Sequence, residues 1–217
     1  MEYIKICGLK NFEDVRLCVD NGANALGFIY NVPDSPRNLK KSEILKILNK
    51  IPNNINTVVV FKPSNIDELL KIIDLINVNL YQIHCKFNSL DLDKIPNELK
   101  NKIVLALKAN YENKEAIIKK INKYKLQFFA FLIDNSEGHG NKFDFDLIKE
   151  ILDKTNEARI ILAGGIDIHN AEKIMKDLKP YGIDVSSSLE IEKGVKDPKK
   201  IKDFLIKMKE LKNLKRD

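Results

Sequence analysis

Short runs of apolar and β-branched residues alternate along this chain with longer runs whose apolar positions recur every three or four residues. The short runs lie at 3–6, 25–30, 56–61, 79–83, 102–107, 128–133, 159–163 and 182–186. They are apolar at nearly every position, which suits strands of a parallel sheet covered on its outer face. The longer runs lie at 11–21, 41–50, 65–76, 111–123, 144–153, 169–178 and 197–211, with a weaker one at 88–99 that has Pro96 near its end. Within 65–76, Ile66, Leu69, Leu70, Ile73 and Ile76 make one stripe, as in a helix with a single buried face. Asn11 and Ser64 stand as caps before their helices, and Asp197-Pro198 opens the last with proline in its first turn.

Eight strand–helix units in succession predict an α/β fold, a single-domain (βα)8 TIM barrel over residues 1–217. A doubly wound open sheet shares the alternation. It would carry a glycine-rich phosphate turn after the first strand, where this sequence has Cys7-Gly8-Leu9-Lys10.

Composition narrows the class. Hydrophobic residues make up 44% and charged residues 31%, which is globular rather than disordered. The net charge of +6 raises nucleic-acid binding as a reading, but the 37 basic residues interleave with 31 acidic ones. The one dense basic stretch runs from Lys199 to Arg216, and its one aromatic residue, Phe204, does not make the aromatic-basic ribbon of a nucleic-acid surface. A solvated surface that mildly favours an anionic substrate accounts for the charge. Cys7, Cys18 and Cys85 are odd in number and fit no zinc spacing, so a reducing cytoplasm is expected. The opening MEYIKICGLK is charged and runs straight into a strand, unlike a signal peptide, and no apolar run is long enough to cross a membrane.

In such a barrel the active site forms at the carboxyl ends of the strands. Cys7 follows the first strand, and Ser35-Pro36-Arg37 lies in the loop after the second. His84 follows the fourth, and Asp134 with Gly138-His139-Gly140 follows the sixth. Gly164-Gly165 follows the seventh and Ser186-Ser187-Ser188 the eighth. Glycines that let backbone N–H groups approach an anion, followed by serine hydroxyls, suit a phosphate; a tight turn with capping serines is the plainer reading. Cys7 and Asp134 end strands on facing sides of the ring, where a thiolate and a carboxyl can act as general base and general acid. Each also has a bland reading, Cys7 as a buried small hydrophobe and Asp134 as a turn cap. Arg37 is either a carboxylate clamp or a surface arginine. His84 is either a ligand or acid at the site or, the favoured reading, a structural hydrogen-bonding residue. No clustering of His, Asp or Glu suggests a metal.

These residues carry a family resemblance. Lys5-Ile6-Cys7-Gly8 resembles the K-I-C-G opening of phosphoribosylanthranilate isomerases. Gly27-Phe28-Ile29 with Ser35-Pro36-Arg37, and Gln82-Ile83-His84, are similar to that family's second strand and loop and to its Q-L-H. Asp134, Gly138, Gly140 and Phe143-Asp144-Phe145 resemble L-D…G-T-G-x-x-F-D-W. Leu162 to Ile166 resembles L-A-G-G-L, and Asp184 to Ser187 with Glu190 and Gly194 to Asp197 resembles D-V-S-S-G-V-E followed by G-x-K-D. The match is collinear from residue 3 to about 205. Ser188 stands where the family usually has glycine, His139 where it has a small residue, and Phe145 where it has tryptophan.

The resemblance implies an Amadori rearrangement of N-(5-phosphoribosyl)anthranilate to 1-(o-carboxyphenylamino)-1-deoxyribulose 5-phosphate, in tryptophan biosynthesis. It implies Asp134 as general acid and Cys7 as general base, with Arg37 on the anthranilate carboxylate. It assigns Gly140, Gly164, Gly165, Ser186 and Ser187 to the phosphate. The expected partner is that phosphorylated sugar-anthranilate substrate alone. No cofactor, metal, nucleic acid or membrane is expected, and the enzyme would be a cytoplasmic monomer or homodimer. Indole-glycerol-phosphate synthase would use lysines and glutamates on several strands, and the histidine-pathway isomerase an aspartate at the position of Cys7. A non-enzymatic basic binding protein would leave the ordered strand-end groups unexplained.

Overall fold

All eight expected strands are present in the computed structural model, which describes residues 2–135 and 143–213. They are β1 (Tyr3–Cys7), β2 (Ala25–Tyr30), β3 (Asn56–Phe61), β4 (Leu80–His84), β5 (Ile103–Lys108), β6 (Ala130–Asp134), β7 (Ile160–Ala163) and β8 (Gly182–Val185), within a residue or two of the predicted ends. Every neighbouring pair is parallel, and β1 pairs with both β2 and β8, which closes the ring. Helices cover the outside, so the fold is the (βα)8 barrel.

The strands' two faces sort the core into two layers. Inward-facing residues of modest size, among them Val58, Leu80, Val104, Ala130, Leu132 and Ile161, fill the barrel. Outward-facing residues such as Ile6, Phe28, Phe131 and Ile183 meet the helices through Val15, Leu69, Ile118, Ile148 and Phe204. Strand alternation therefore decides which side chains can reach a ligand: on β1, Ile4 and Ile6 pack outward while Tyr3, Lys5 and Cys7 point in. At the amino-terminal foot of the barrel Tyr3 stacks on Tyr181 at 6.1 Å and tilts against Phe129 at 6.4 Å. The Arg159 guanidinium lies over Phe129 and Tyr181. Together they form a floor.

Helix details correct three expectations. Asn11 caps its helix by accepting from the Asp14 N–H, but the cap of helix Ile66–Leu75 is Asn65, one residue after Ser64. The Ser64 hydroxyl instead donates to the Glu68 carboxylate at 2.6 Å. The weak run at 88–99 is two short helices, Ser89–Lys94 and Asn97–Lys100, because Pro96 between them has no N–H to continue the first. The run at 169–178 is a three-residue α-turn, Ala171–Lys173, that widens into a π-turn over Ile174–Leu178.

Beyond β8 the chain makes one 3-10 turn, Ser187–Leu189, then a small hairpin of Glu190–Glu192 and Val195–Lys196. The last helix, Pro198–Asn213, buries Ile201, Phe204, Leu205, Met208 and Leu211 and packs on the helix Phe12–Asp20.

Candidate active site

Parallel strands bring their last inward residues to one end of the barrel, and there a cavity of about 1170 Å³ opens. Cys7, Arg37, Asp134, Gly164, Gly165, Ser186 and Ser187 all line it. Cys7 on β1 and Asp134 on β6 stand on facing sides, with β8 and β7 and their loops between them. Gly140 lies outside the described residues.

Cys7 is nearly buried and is bordered by charge. Lys5, one inward position earlier on β1, is fully buried and pairs with Asp184 of β8 at 2.7 Å, its register partner. Burial pushes the Cys7 thiol upward, the Lys5 ammonium pulls it back, and Asp184 adds to the rise. Burial is also the largest single influence on Lys5 and works against its charge, but Asp184 and Cys7 together outweigh it and hold the ammonium above its usual range. Asp184 Oδ1 and Gln82 Oε1 are buried acceptors without a hydrogen-bond partner among the described residues, and both residues line the cavity.

A second network binds the loop after β2 to the hairpin after β8. Arg37 donates from Nε and Nη2 to the two oxygens of Glu190, each at 2.6 Å. Buried Lys196 donates to Glu190 Oε1 at 3.0 Å and to the Ser186 carbonyl at 2.9 Å. The Ser186 hydroxyl in turn donates to the Cys7 carbonyl at 3.1 Å. Burial alone would raise the Glu190 carboxyl, but Arg37, the Gly194 N–H and Lys196 hold it down at about 2. Arg37 is thus a fixed, oriented cation at the cavity wall, since a two-bond fork fixes the guanidinium plane as well as its position.

The loops after β7 and β8 form a shallow polar cradle. Gly164 and Gly165 both have left-handed φ, +84° and +67°, so their N–H groups take directions other residues adopt only under strain. The Asn170 side chain donates to the Gly165 carbonyl at 2.7 Å and fixes the turn. The Ser188 hydroxyl, at the position where the family usually has glycine, donates to the Ile166 carbonyl at 2.6 Å and ties the two loops together. With Ser186 turned to Cys7 and Ser188 to Ile166, Ser187 is the exposed hydroxyl of the three.

His84 accepts from the Gln82 amide at 3.1 Å, taking Nε2 as the unprotonated nitrogen, and burial lowers its pKa to about 4. It is a neutral, structurally tied ring at neutral pH. Among the described residues no group of three or more His, Cys, Asp or Glu is arranged to hold a metal, and no helix is long and apolar enough to cross a membrane.

Residues 4–207 match the family model described as N-(5'-phosphoribosyl)anthranilate (PRA) isomerase. The chain belongs to that family. An N-(5'-phosphoribosyl)anthranilate isomerase of Bacillus cereus (strain AH187) is 30% identical over 210 residues, spanning 95% of this chain and 98% of its own. The crystal structure of phosphoribosyl anthranilate isomerase from Thermotoga maritima superposes with a TM-score of 0.83 at 27% identity, over 97% of this chain and 100% of that one. Monomers made from the dimeric Thermotoga maritima enzyme give 0.80 at 26%, with coverage of 97% and 100%. A complex of the isomerase with reduced 1-(o-carboxyphenylamino)-1-deoxyribulose 5-phosphate gives 0.80 at 27%, again covering 97% and 100%. The protein is therefore an isomerase of tryptophan biosynthesis.

Four charged residues of the site, Lys5, Asp184, Glu190 and Lys196, stand inside the family motifs but are given no chemical role by them. For the first two the signal is strand alternation: Lys5 shares its face with Cys7, and Asp184 shares its face with Ser186.

Proposed function

We propose that Asp134 and Cys7 divide the proton transfers of the Amadori rearrangement between them. Asp134, as the acid, protonates the furanose ring oxygen of N-(5-phosphoribosyl)anthranilate, and the ring opens to a Schiff base. Cys7, as thiolate, takes the C2 proton to give an enolamine, which tautomerises to the ketone. Only protons move between enzyme and substrate, so an acid and a base suffice without a cofactor or metal. Gly164, Gly165, Ser186, Ser187 and Gly140 take the phosphate. Ser186 contributes its backbone N–H, because its hydroxyl is turned to Cys7. Arg37 takes the anthranilate carboxylate on the face that Glu190 leaves open.

The observation that carries this reading is the placement of Cys7 and Asp134 on facing walls of one cavity, with the glycine and serine loops between them. The test is the fluorescence of freshly made substrate incubated with the enzyme and with Cys7→Ala and Asp134→Asn. Each variant should lose roughly 100-fold or more in kcat while keeping its fold. Near-normal turnover in either one removes its assigned role.

The whole chain, 1–217, works as one domain, as a monomer or homodimer. A base that must remain a free thiol fits a reducing cytoplasm. In the basic last helix Lys199 pairs with Asp203, Lys207 with Glu172, and Lys200 donates to the Glu190 carbonyl, so part of its charge is taken up within the protein.

A further inference from the structure

We propose that Lys5, clamped by Asp184 inside the barrel, is a positioning residue that offsets part of the cost of ionising Cys7 in its buried site. The inference rests on the reading of Cys7 as the base and deepens it. Inward positions of this barrel are otherwise filled mostly by Val, Leu and Ala, and a fully buried lysine there is costly unless its charge is used.

The local geometry brings ammonium and sulfur together. Lys5 and Cys7 are alternate residues of β1, so both point inward. Beside them β2 presents Gly27, the register partner of Cys7. A Cβ built at Gly27 would lie 2.8 Å from the Cys7 sulfur, 2.8 Å from Lys5 Cε and 3.0 Å from Lys5 Nζ. The absent side chain is therefore the space into which the lysine bends to reach the thiol. On its other side Lys5 meets Asp184 at 2.7 Å, so it stays an ammonium and does not act as a proton acceptor.

The charged and titratable groups around Cys7 are Tyr3 and Lys5 on its own strand, Asp184 on β8, Lys196 on the hairpin and Arg37 on the loop after β2. Arg37 and Lys196 share the single negative charge of Glu190, and Lys196 adds a smaller downward pull on the thiol to that of Lys5. Asp184 carries one negative charge against the one positive charge of Lys5, so the two act on the thiol with opposite sign.

That opposition supplies the test. In a Cys18→Ala/Cys85→Ala background Cys7 is the one thiol, and its ionisation can be titrated by thiolate ultraviolet absorbance, without substrate, alongside kcat/KM against pH. Lys5→Met should move the thiol titration up by about one unit or more, roughly tenfold in thiolate fraction, with activity recovering as pH rises. Asp184→Asn should move it down. Lys5→Arg should restore most of the native titration. Shifts in the same direction for Lys5→Met and Asp184→Asn, or none in folded protein, overturn the inference. Where Lys5→Met does not fold, the direction of the Asp184→Asn shift decides. Full activity in Cys7→Ala would remove Cys7 as the base while leaving the measured Lys5–thiol coupling intact, so the two failures are distinct.

Discussion

Arg37 and Glu190 are 153 residues apart in the chain, yet they face each other through two hydrogen bonds of 2.6 Å that join the loop after β2 to the hairpin after β8. The pair fixes the cation proposed to meet the substrate's carboxylate, and through Lys196 and Ser186 it reaches the backbone of Cys7. Glu190→Gln leaves buried Lys196 and half-buried Arg37 short of their counter-ion. It should cost about 3 kcal/mol in urea unfolding and raise KM more than it lowers kcat.

The same carboxylate sets an acid limit. Glu190 is held at about 2 in the folded protein against an ordinary 4.5, so the unfolded chain binds more protons between those values. Its stabilising contribution is complete above about 4.5 and is lost as pH falls toward about 2. Urea midpoints at about pH 3 and about pH 7 should differ by less in Glu190→Gln than in the native protein. An unchanged difference would place the acid sensitivity elsewhere.

His84 produces a second window with the same sign. Burial keeps it neutral down to about 4, whereas an ordinary histidine protonates at 6.5. The unfolded state binds the extra proton, so stability is full above 6.5 and declines as pH falls through the interval to 4. His84→Gln should flatten the pH dependence of the unfolding midpoint between those values, whatever it does to stability at neutral pH.

Two inward glycines should separate activity from stability. At Gly27 an added methyl would press on two side-chain ends, the Cys7 sulfur and the clamped ammonium end of Lys5, and on no backbone atom among its nearest neighbours. Gly27→Ala should therefore fold and lose up to about 100-fold in kcat, the scale of an ångström of misplacement. At Gly182 the methyl would meet the Tyr3 backbone carbonyl at 2.6 Å, which cannot yield. Gly182→Ala should lower the melting temperature more than the turnover of whatever remains folded.

Inorganic phosphate should raise the melting temperature by occupying the cradle after β7 and β8. Binding at about one hundred times its Kd corresponds to about 2.7 kcal/mol. Gly165→Val puts a β-branched residue at φ +67° and should abolish that shift while raising KM for substrate. A native protein indifferent to high phosphate would argue against the cradle.

The barrel was legible because runs such as Val58–Phe61 and Ile103–Leu107 are apolar on both faces, which only strands covered on both sides require. The strand-end groups were legible by counting strands, and Cys7, Arg37, Asp134 and the glycine and serine loops all reach the cavity. The charged network was not. Alternation puts Lys5 and Asp184 on inward faces, but their pairing appears only when register sets them side by side, a relation between positions 179 residues apart. Glu190 and Lys196 belong to a small hairpin with no periodic signal of its own. The Ser64-to-Asn65 shift was missed because both residue types cap well and geometry chooses between them.

With Tyr3, Phe129 and Tyr181 packed across its foot, the barrel is, among the described residues, a cul-de-sac open at the strands' carboxyl ends. Newcomer and departing molecule must share that threshold in turn. A product slow to back out is then also an obstruction, so inhibition by accumulated product should be purely competitive with substrate.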